Sequence, residues 1–100
     1  MFRFQTSGRA KDDKVPEAIQ FAKEVAKYIN SKYPPVSVQV YSEVVEDSNN
    51  IHWYLDYKDP RAIENFRGQL RRDQGYWAII FKGMDYFIEK SFHDTLMSSV

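Results

Sequence analysis

Apolar and polar residues alternate at the start of the chain. Phe2, Phe4 and Thr6 fall on one side and Arg3, Gln5 and Ser7 on the other, the period-two signature of a strand. Gly8–Lys14 is polar and charged and reads as a loop. From Val15 the period changes. Val15, Ala18, Ile19, Ala22, Val25, Ala26 and Ile29 recur at threes and fours, an amphipathic helix with Lys23, Glu24 and Lys27 off its stripe. Pro16 stands near the helix start, where a missing N–H costs nothing. Pro34-Pro35 stops the helix, and Tyr33, preceding a proline, is pushed out of helical geometry.

Val36, Val38 and Val40 then alternate with Ser37, Gln39 and Tyr41, a second strand. The alternation continues through Glu43-Val44-Val45, with room for a bulge. Glu46-Asp47-Ser48-Asn49-Asn50 has the composition of a turn. A third strand follows, with Ile51, Trp53, Leu55 and Tyr57 opposed to His52, Tyr54 and Asp56. A short polar loop between two such runs predicts an antiparallel hairpin. The third strand runs directly into a helix start, because Asp59 is a good N-cap and Pro60 suits the first helical position.

Beyond Pro60, Ile63, Phe66 and Leu70 lead on to Tyr76, Trp77, Ile80, Phe81, Met84, Phe87 and Ile88. Gly75 marks a break. Either the helix pauses near Asp73-Gln74-Gly75 and resumes, or Tyr76–Phe81 is a buried strand. The stripe through Trp77, Ile80, Phe81, Met84 and Ile88 favours the helix. Lys90–Val100 supplies a closing strand. The order β-α-β-β-α-β predicts a single ferredoxin-like α+β domain over residues 1–100, two helices packed on one face of a four-stranded antiparallel sheet.

Helices cover only one face of such a sheet. Phe2, Phe4, Val36, Val38, Val40, Ile51, Trp53 and Leu55 suit the covered face. The other face carries Arg3, Gln5, Gln39, Tyr41, His52, Tyr54 and Asp56, with His93, Thr95 and Met97 from the closing strand. Aromatic residues make up 16% of the chain, more than a small core readily shelters. Tyr on the open face suits a surface with one apolar and one hydrogen-bonded side. The expectation is a two-fold homodimer joined through this face, with Gln5, Gln39, Tyr41 and His93 at the interface.

Charge and composition narrow the function. Fourteen basic and fourteen acidic residues give zero net charge, which argues against a nucleic-acid partner. Without cysteine there is no disulfide framework and no thiolate chemistry. The first residues lack a long apolar run, and no run approaches a membrane-spanning helix, so a soluble cytoplasmic protein with no membrane partner is expected.

Two histidines are the main candidates for chemistry. His52, Tyr54 and Asp56 share a strand face at about 6.5–7 Å intervals. There they serve either as a general acid–base cluster or as interface hydrogen bonds. His93 and Asp94 are adjacent and so face opposite sides of a strand. The histidine spacing is poor for a metal, and none is expected. Arg67, Arg71 and Arg72 with Gln69 form a basic patch on the second helix, read as exposed surface or, alternatively, an anion site. Glu64 lies within ion-pair reach of Arg67.

The element order, the stretch Asp73-Gln74-Gly75-Tyr76-Trp77, a helix through Phe87 and the segment Ser91-Phe92-His93-Asp94-Thr95-Leu96-Met97 together resemble a known group. The chain is similar to the dimeric α+β barrel proteins, a superfamily that includes antibiotic-biosynthesis-type monooxygenases and many uncharacterised bacterial relatives. The resemblance implies an apolar pocket between sheet and helices, in which cofactor-free oxygenases bind flat aromatic substrates. Trp53, Phe66, Trp77, Phe81 and Tyr54 are the candidates to line it. No cofactor is expected. Two readings of function stand together: a homodimer that binds a small apolar ligand or acts as an interaction module, and a cofactor-independent monooxygenase- or isomerase-like enzyme using His52, Tyr54 and Asp56. A third is haem ligation through His52 or His93.

Overall fold

In a computed structural model, which describes residues 1–43, 45 and 47–100, the chain forms β1 (Phe2–Arg9), α1 (Val15–Lys32), β2 (Ser37–Ser42), β3 (Asn50–Tyr57), α2 (Pro60–Arg71), α3 (Gln74–Gly83), a 3₁₀ turn (Met84–Tyr86) and β4 (His93–Ser98). The strands make one antiparallel sheet in the order β2-β3-β1-β4. This is the ferredoxin-like arrangement, with the second helical region divided in two.

The period-two pattern of β3 is realised residue by residue. Ile51, Trp53, Leu55 and Tyr57 are buried under the helices, and His52, Tyr54 and Asp56 lie on the open face. Register carries that alternation across the sheet, because directly paired residues share a face. Gln39, Tyr54, Gln5 and Thr95 form one row of the open face, and Tyr41, His52, Ser7 and His93 the next. On the covered face Val38, Leu55, Phe4 and Leu96 align. Val36 is buried too, although it precedes β2.

Three sequence expectations need correction. First, β1 does not end at Ser7. Gly8 pairs with Ile51 and Arg9 with Asn50, and Ala10 bridges Phe87. Gly8 looked like a loop residue, but it lies beneath the Phe92 ring, where a Cβ would come within 2.6 Å of Cε1. Second, the helix does pause near Asp73 and resume, as the spacing predicted, but Gly75 is not the break. Asp73 is the N-cap of α3, and Gly75 lies inside its first turn. Third, the helix does not reach Phe87. It ends at Gly83, and Phe87 is an extended, buried residue against Ala10. The expected continuation of β2 through Glu43-Val44-Val45 stops at Ser42 as far as the described residues go. Val44 and Glu46, with the parts of the bulge and turn assigned to them, lie outside those residues.

The core sits between α1 and the sheet. Ala18, Phe21, Ala22, Val25, Ala26 and Ile29 form the buried stripe of α1. The small residues let the helix approach closely, and Phe21 fills the space this leaves. Its ring meets Trp53 edge-on at 6.3 Å and Phe87 at 5.7 Å. α1 also holds the edge strand, because Asn30 donates to the Val38 carbonyl at 3.1 Å and accepts from the Val38 N–H at 2.8 Å.

A candidate ligand cavity

Between the covered sheet face and the helices lies a cavity of about 420 Å³. That is within the range of small-molecule sites. Its floor is the sheet: Phe4 and Thr6 from β1, Val38 from β2, and Trp53, Leu55 and Tyr57 from β3. α1 contributes Phe21, Val25 and Ile29, and α2 contributes Phe66, Arg67, Leu70 and Arg71. Tyr76, Trp77, Ile80 and Met84 close it from the α3 side, with Phe92 and Asp94 at the β4 end.

Two features hold the walls in place. The Trp53 indole N–H donates to the Ala22 carbonyl at 3.2 Å, which fixes the large ring of β3 against α1. The α2–α3 corner is fixed by Asp73, a carboxylate only 6% exposed. Tyr33 donates to it at 2.6 Å and Tyr28 at 2.7 Å, Lys32 lies at 3.0 Å, and the Tyr76 N–H donates at 3.1 Å. The Tyr33 hydroxyl, with Tyr28, Lys32 and that N–H, holds the Asp73 carboxyl well below the usual carboxylate range. The Lys32 ammonium, bonded to Tyr28 and Asp73, is held above its ordinary value. α3 is thereby clamped to the C-terminal end of α1. Trp77 adds a clamp of its own, donating from its indole to the Arg71 carbonyl at 3.0 Å.

The cavity is apolar in its middle and polar at its edges. Arg67 lies over the Phe4 ring at 5.2 Å. The expected Glu64 pairing does not form, and Arg67 and Arg71 make no ion pair among the described residues. At the other end the Thr6 hydroxyl donates to Asp94 at 2.9 Å. Tyr57 is 3% exposed, and its hydroxyl has no hydrogen-bond partner among the described residues. Burial pushes that phenol up to about 12.

The polar candidates from the sequence lie on the other side of the sheet. His52 is bonded at both ring nitrogens: Nδ1 to the Ser7 hydroxyl at 2.6 Å, and Nε2 to Glu43 at 2.9 Å. Ser48 and His52, both hydrogen-bonded to the Glu43 carboxylate, lower its pKa. Asp56 is bonded to Arg3, at 2.7 and 3.1 Å, and these bonds lower its pKa. His52 and Asp56 are thus engaged by different partners and do not converge on one point. Tyr54 stacks near His52, meets Tyr41 edge-on at 5.4 Å and lies under the Arg3 guanidinium. Gln5 donates to Ser7 within the same network. Gln39, Tyr41 and His93 stand exposed on this face. Among the described residues no cluster of three or more His, Asp or Glu is placed to hold a metal.

Of the residues expected to line the pocket, Trp53, Phe66 and Trp77 are in its wall. Tyr54 is on the open face, and Phe81 is 73% exposed on the outer side of α3. α3 is apolar nearly all round, so its periodicity does not say which side turns inward. Tyr76, Ile79 and Ile80 do, and Gly83 lies against Phe21. Sequence reasoning missed Phe21, Tyr57 and Asp73 as shapers of this site. Asp73 carried a signal, an N-cap residue three positions before Tyr76.

Comparison with solved structures bears on this arrangement. An uncharacterised NIPSNAP domain protein from Burkholderia xenovorans superposes with a TM-score of 0.82 at 16% identity, covering 100% of this chain and 95% of that one. A NIPSNAP family protein from Agrobacterium tumefaciens gives 0.79 at 14% identity over 99% and 92% of the two chains. An antibiotic biosynthesis monooxygenase gives 0.74 at 10% identity over 100% and 99%. The chain has the fold of these proteins. By sequence, no protein-family model and no curated protein matches it. At these identities the likeness is one of architecture. It agrees with the ferredoxin-like α+β fold that the element order predicted.

Proposed function

We propose that the protein is a cytoplasmic homodimer that binds a small apolar, flat ligand between its sheet and its helices. The observation that carries this reading is the cavity of about 420 Å³ walled by Phe21, Trp53, Leu55, Phe66 and Ile80. A core of this size ordinarily closes such a space. Here the contacts of Asp73 and Trp53 fix the positions of the walls around it.

Binding is favoured over turnover at the expected cluster. His52, Tyr54 and Asp56 face away from the cavity, so the acid–base group read from the sequence does not reach an occupant there. Their open face is better suited to a second copy of the chain. It presents Tyr41 at 54% exposure beside Tyr54, with Met97 at its edge, a mixture of rings and satisfied polar groups common in interfaces. Among the described residues no helix is long and apolar enough to cross a membrane.

The test is calorimetric titration with naphthol, a neutral flat aromatic, of the wild type and of Leu70→Trp, which fills the cavity from α2. Binding in the wild type that weakens by about tenfold or more in the variant supports the reading. No binding, or binding that the filled cavity does not weaken, overturns it.

A further inference from the structure

The cavity has an unused polar end. Tyr57 closes β3 under α2, and its buried hydroxyl has no partner among the described residues. A buried hydroxyl without a hydrogen bond costs about 1–3 kcal/mol, so such a group is rare without a purpose. Arg67 also faces this end. Its guanidinium lies over Phe4, whose β3 partner Leu55 is two residues from Tyr57, and its charge acts on the Tyr57 phenol. Arg71 follows one turn later on the same side of α2 and lines the same space. Neither arginine is neutralised by a described carboxylate.

The acid of the cavity is at the opposite end. Asp94 pairs in register with Thr6, which in turn pairs with Trp53. Trp53 and Tyr57 are four residues apart on one strand, about 13 Å at strand rise. Asp94 is also engaged by the Thr6 hydroxyl. The cavity therefore runs from a donor end at Tyr57 and Arg67, through an aromatic middle, to an acceptor end at Asp94.

We propose that the ligand is an aromatic or otherwise flat apolar carboxylic acid, bound as its anion, with the carboxylate at Tyr57 and Arg67 and the apolar body against Trp53, Leu55 and Phe21. This deepens the cavity reading and rests on it. The Tyr57 hydroxyl donates to one carboxylate oxygen and the Arg67 guanidinium to the other. A charge-assisted contact of this kind is stronger than one between neutral groups. The same end rejects a carboxylate-free analogue only weakly, since that analogue leaves Tyr57 as it already is.

The experiment compares naphthoate with naphthol on the full chain at neutral pH, in the wild type and in Tyr57→Phe, Arg67→Met and Arg67→Lys, with circular dichroism to establish that each variant is folded. The expected result is naphthoate binding at least about tenfold tighter than naphthol in the wild type. Tyr57→Phe and Arg67→Met remove that preference, while Arg67→Lys restores part of it. Equal affinity for the two compounds in the wild type overturns the anion assignment and leaves the cavity reading standing. So does a preference that survives both Tyr57→Phe and Arg67→Met. Failure of naphthol to bind overturns the cavity reading, and the anion assignment, which rests on it, falls with it.

Discussion

His52 and Trp53 are consecutive in the chain, and the sheet lies between their side chains. Trp53 is 6% exposed in the cavity wall with its indole on the Ala22 carbonyl, while His52 bridges Ser7 and Glu43 on the open face. One residue of register therefore separates the ligand cavity from the proposed dimer surface. It also separates what substitutions at the two positions do.

His52→Ala removes the hydrogen bonds to Ser7, Gln5 and Glu43 on the open face and touches nothing in the cavity. It is expected to weaken the dimer by about tenfold, as loss of roughly 1–1.5 kcal/mol implies, and to leave naphthol affinity unchanged. Sedimentation equilibrium with a parallel calorimetric titration reads both. Unaltered association with lost ligand binding would place His52 at the ligand instead.

Asp73→Ala leaves the hydroxyls of Tyr28 and Tyr33 without their acceptor and uncaps α3. The midpoint of thermal unfolding should fall by roughly 8 °C or more. The pH dependence has a definite sign. The Asp73 carboxyl is lowered below its ordinary 3.8. Its contribution is thus complete above that value and is lost as pH falls below it. The wild type should lose stability on the acid side more steeply than the variant, as measured by thermal melts across the acid range.

Two glycines should respond in opposite directions. Gly68 lies in the middle of α2 with nothing within 4 Å of an added Cβ, so Gly68→Ala should stabilise by about 0.5–1 kcal/mol. Gly83 is in contact with the Phe21 ring, and an added Cβ would overlap it. Gly83→Ala should destabilise by about 1–3 kcal/mol. Urea unfolding of the two variants checks the pair, and a gain at Gly83 would show that the α1–α3 contact is looser than described.

Tyr57→Phe removes the unpartnered hydroxyl and should stabilise the free protein by about 1 kcal/mol. Burial raises the Tyr57 phenol from 10.0 to about 12. The neutral form is therefore favoured in the fold. That stabilisation is complete below pH 10 and is lost as pH rises towards 12. Denaturant melts through this window should show a smaller alkaline loss in Tyr57→Phe than in the wild type.

The elements that local chemistry dictates were legible in the sequence. The alternation of β3, the Asp59-Pro60 helix start and the α1 stripe all appear where the residues place them, because each follows from spacing and capping alone. Asp59 accepts from the Arg61 N–H at 2.9 Å, as an N-cap should. What failed depended on distant partners. Phe87 looks helical by spacing, yet the chain leaves the helix to pair with Ala10, nearly eighty residues earlier. Gly8 looks like a loop until the Phe92 ring covers it. The cavity was expected from the resemblance alone, and its polar end was not legible, because Tyr57 and Arg67 lie on different elements. His52, Tyr54 and Asp56 were correctly placed on one face, but spacing along a strand does not say that Arg3, Ser7 and Glu43 engage two of them.

The most direct measurement is an NMR titration of the isotope-labelled protein with naphthol, following side-chain signals. The account predicts that the Trp53 indole and the methyl groups of Leu55, Val25 and Ile80 shift in step with occupancy, while the rings of Tyr41 and Tyr54 stay where they are. Shifts confined to Tyr41, His52 and Tyr54, or no shifts at saturating naphthol, would contradict it.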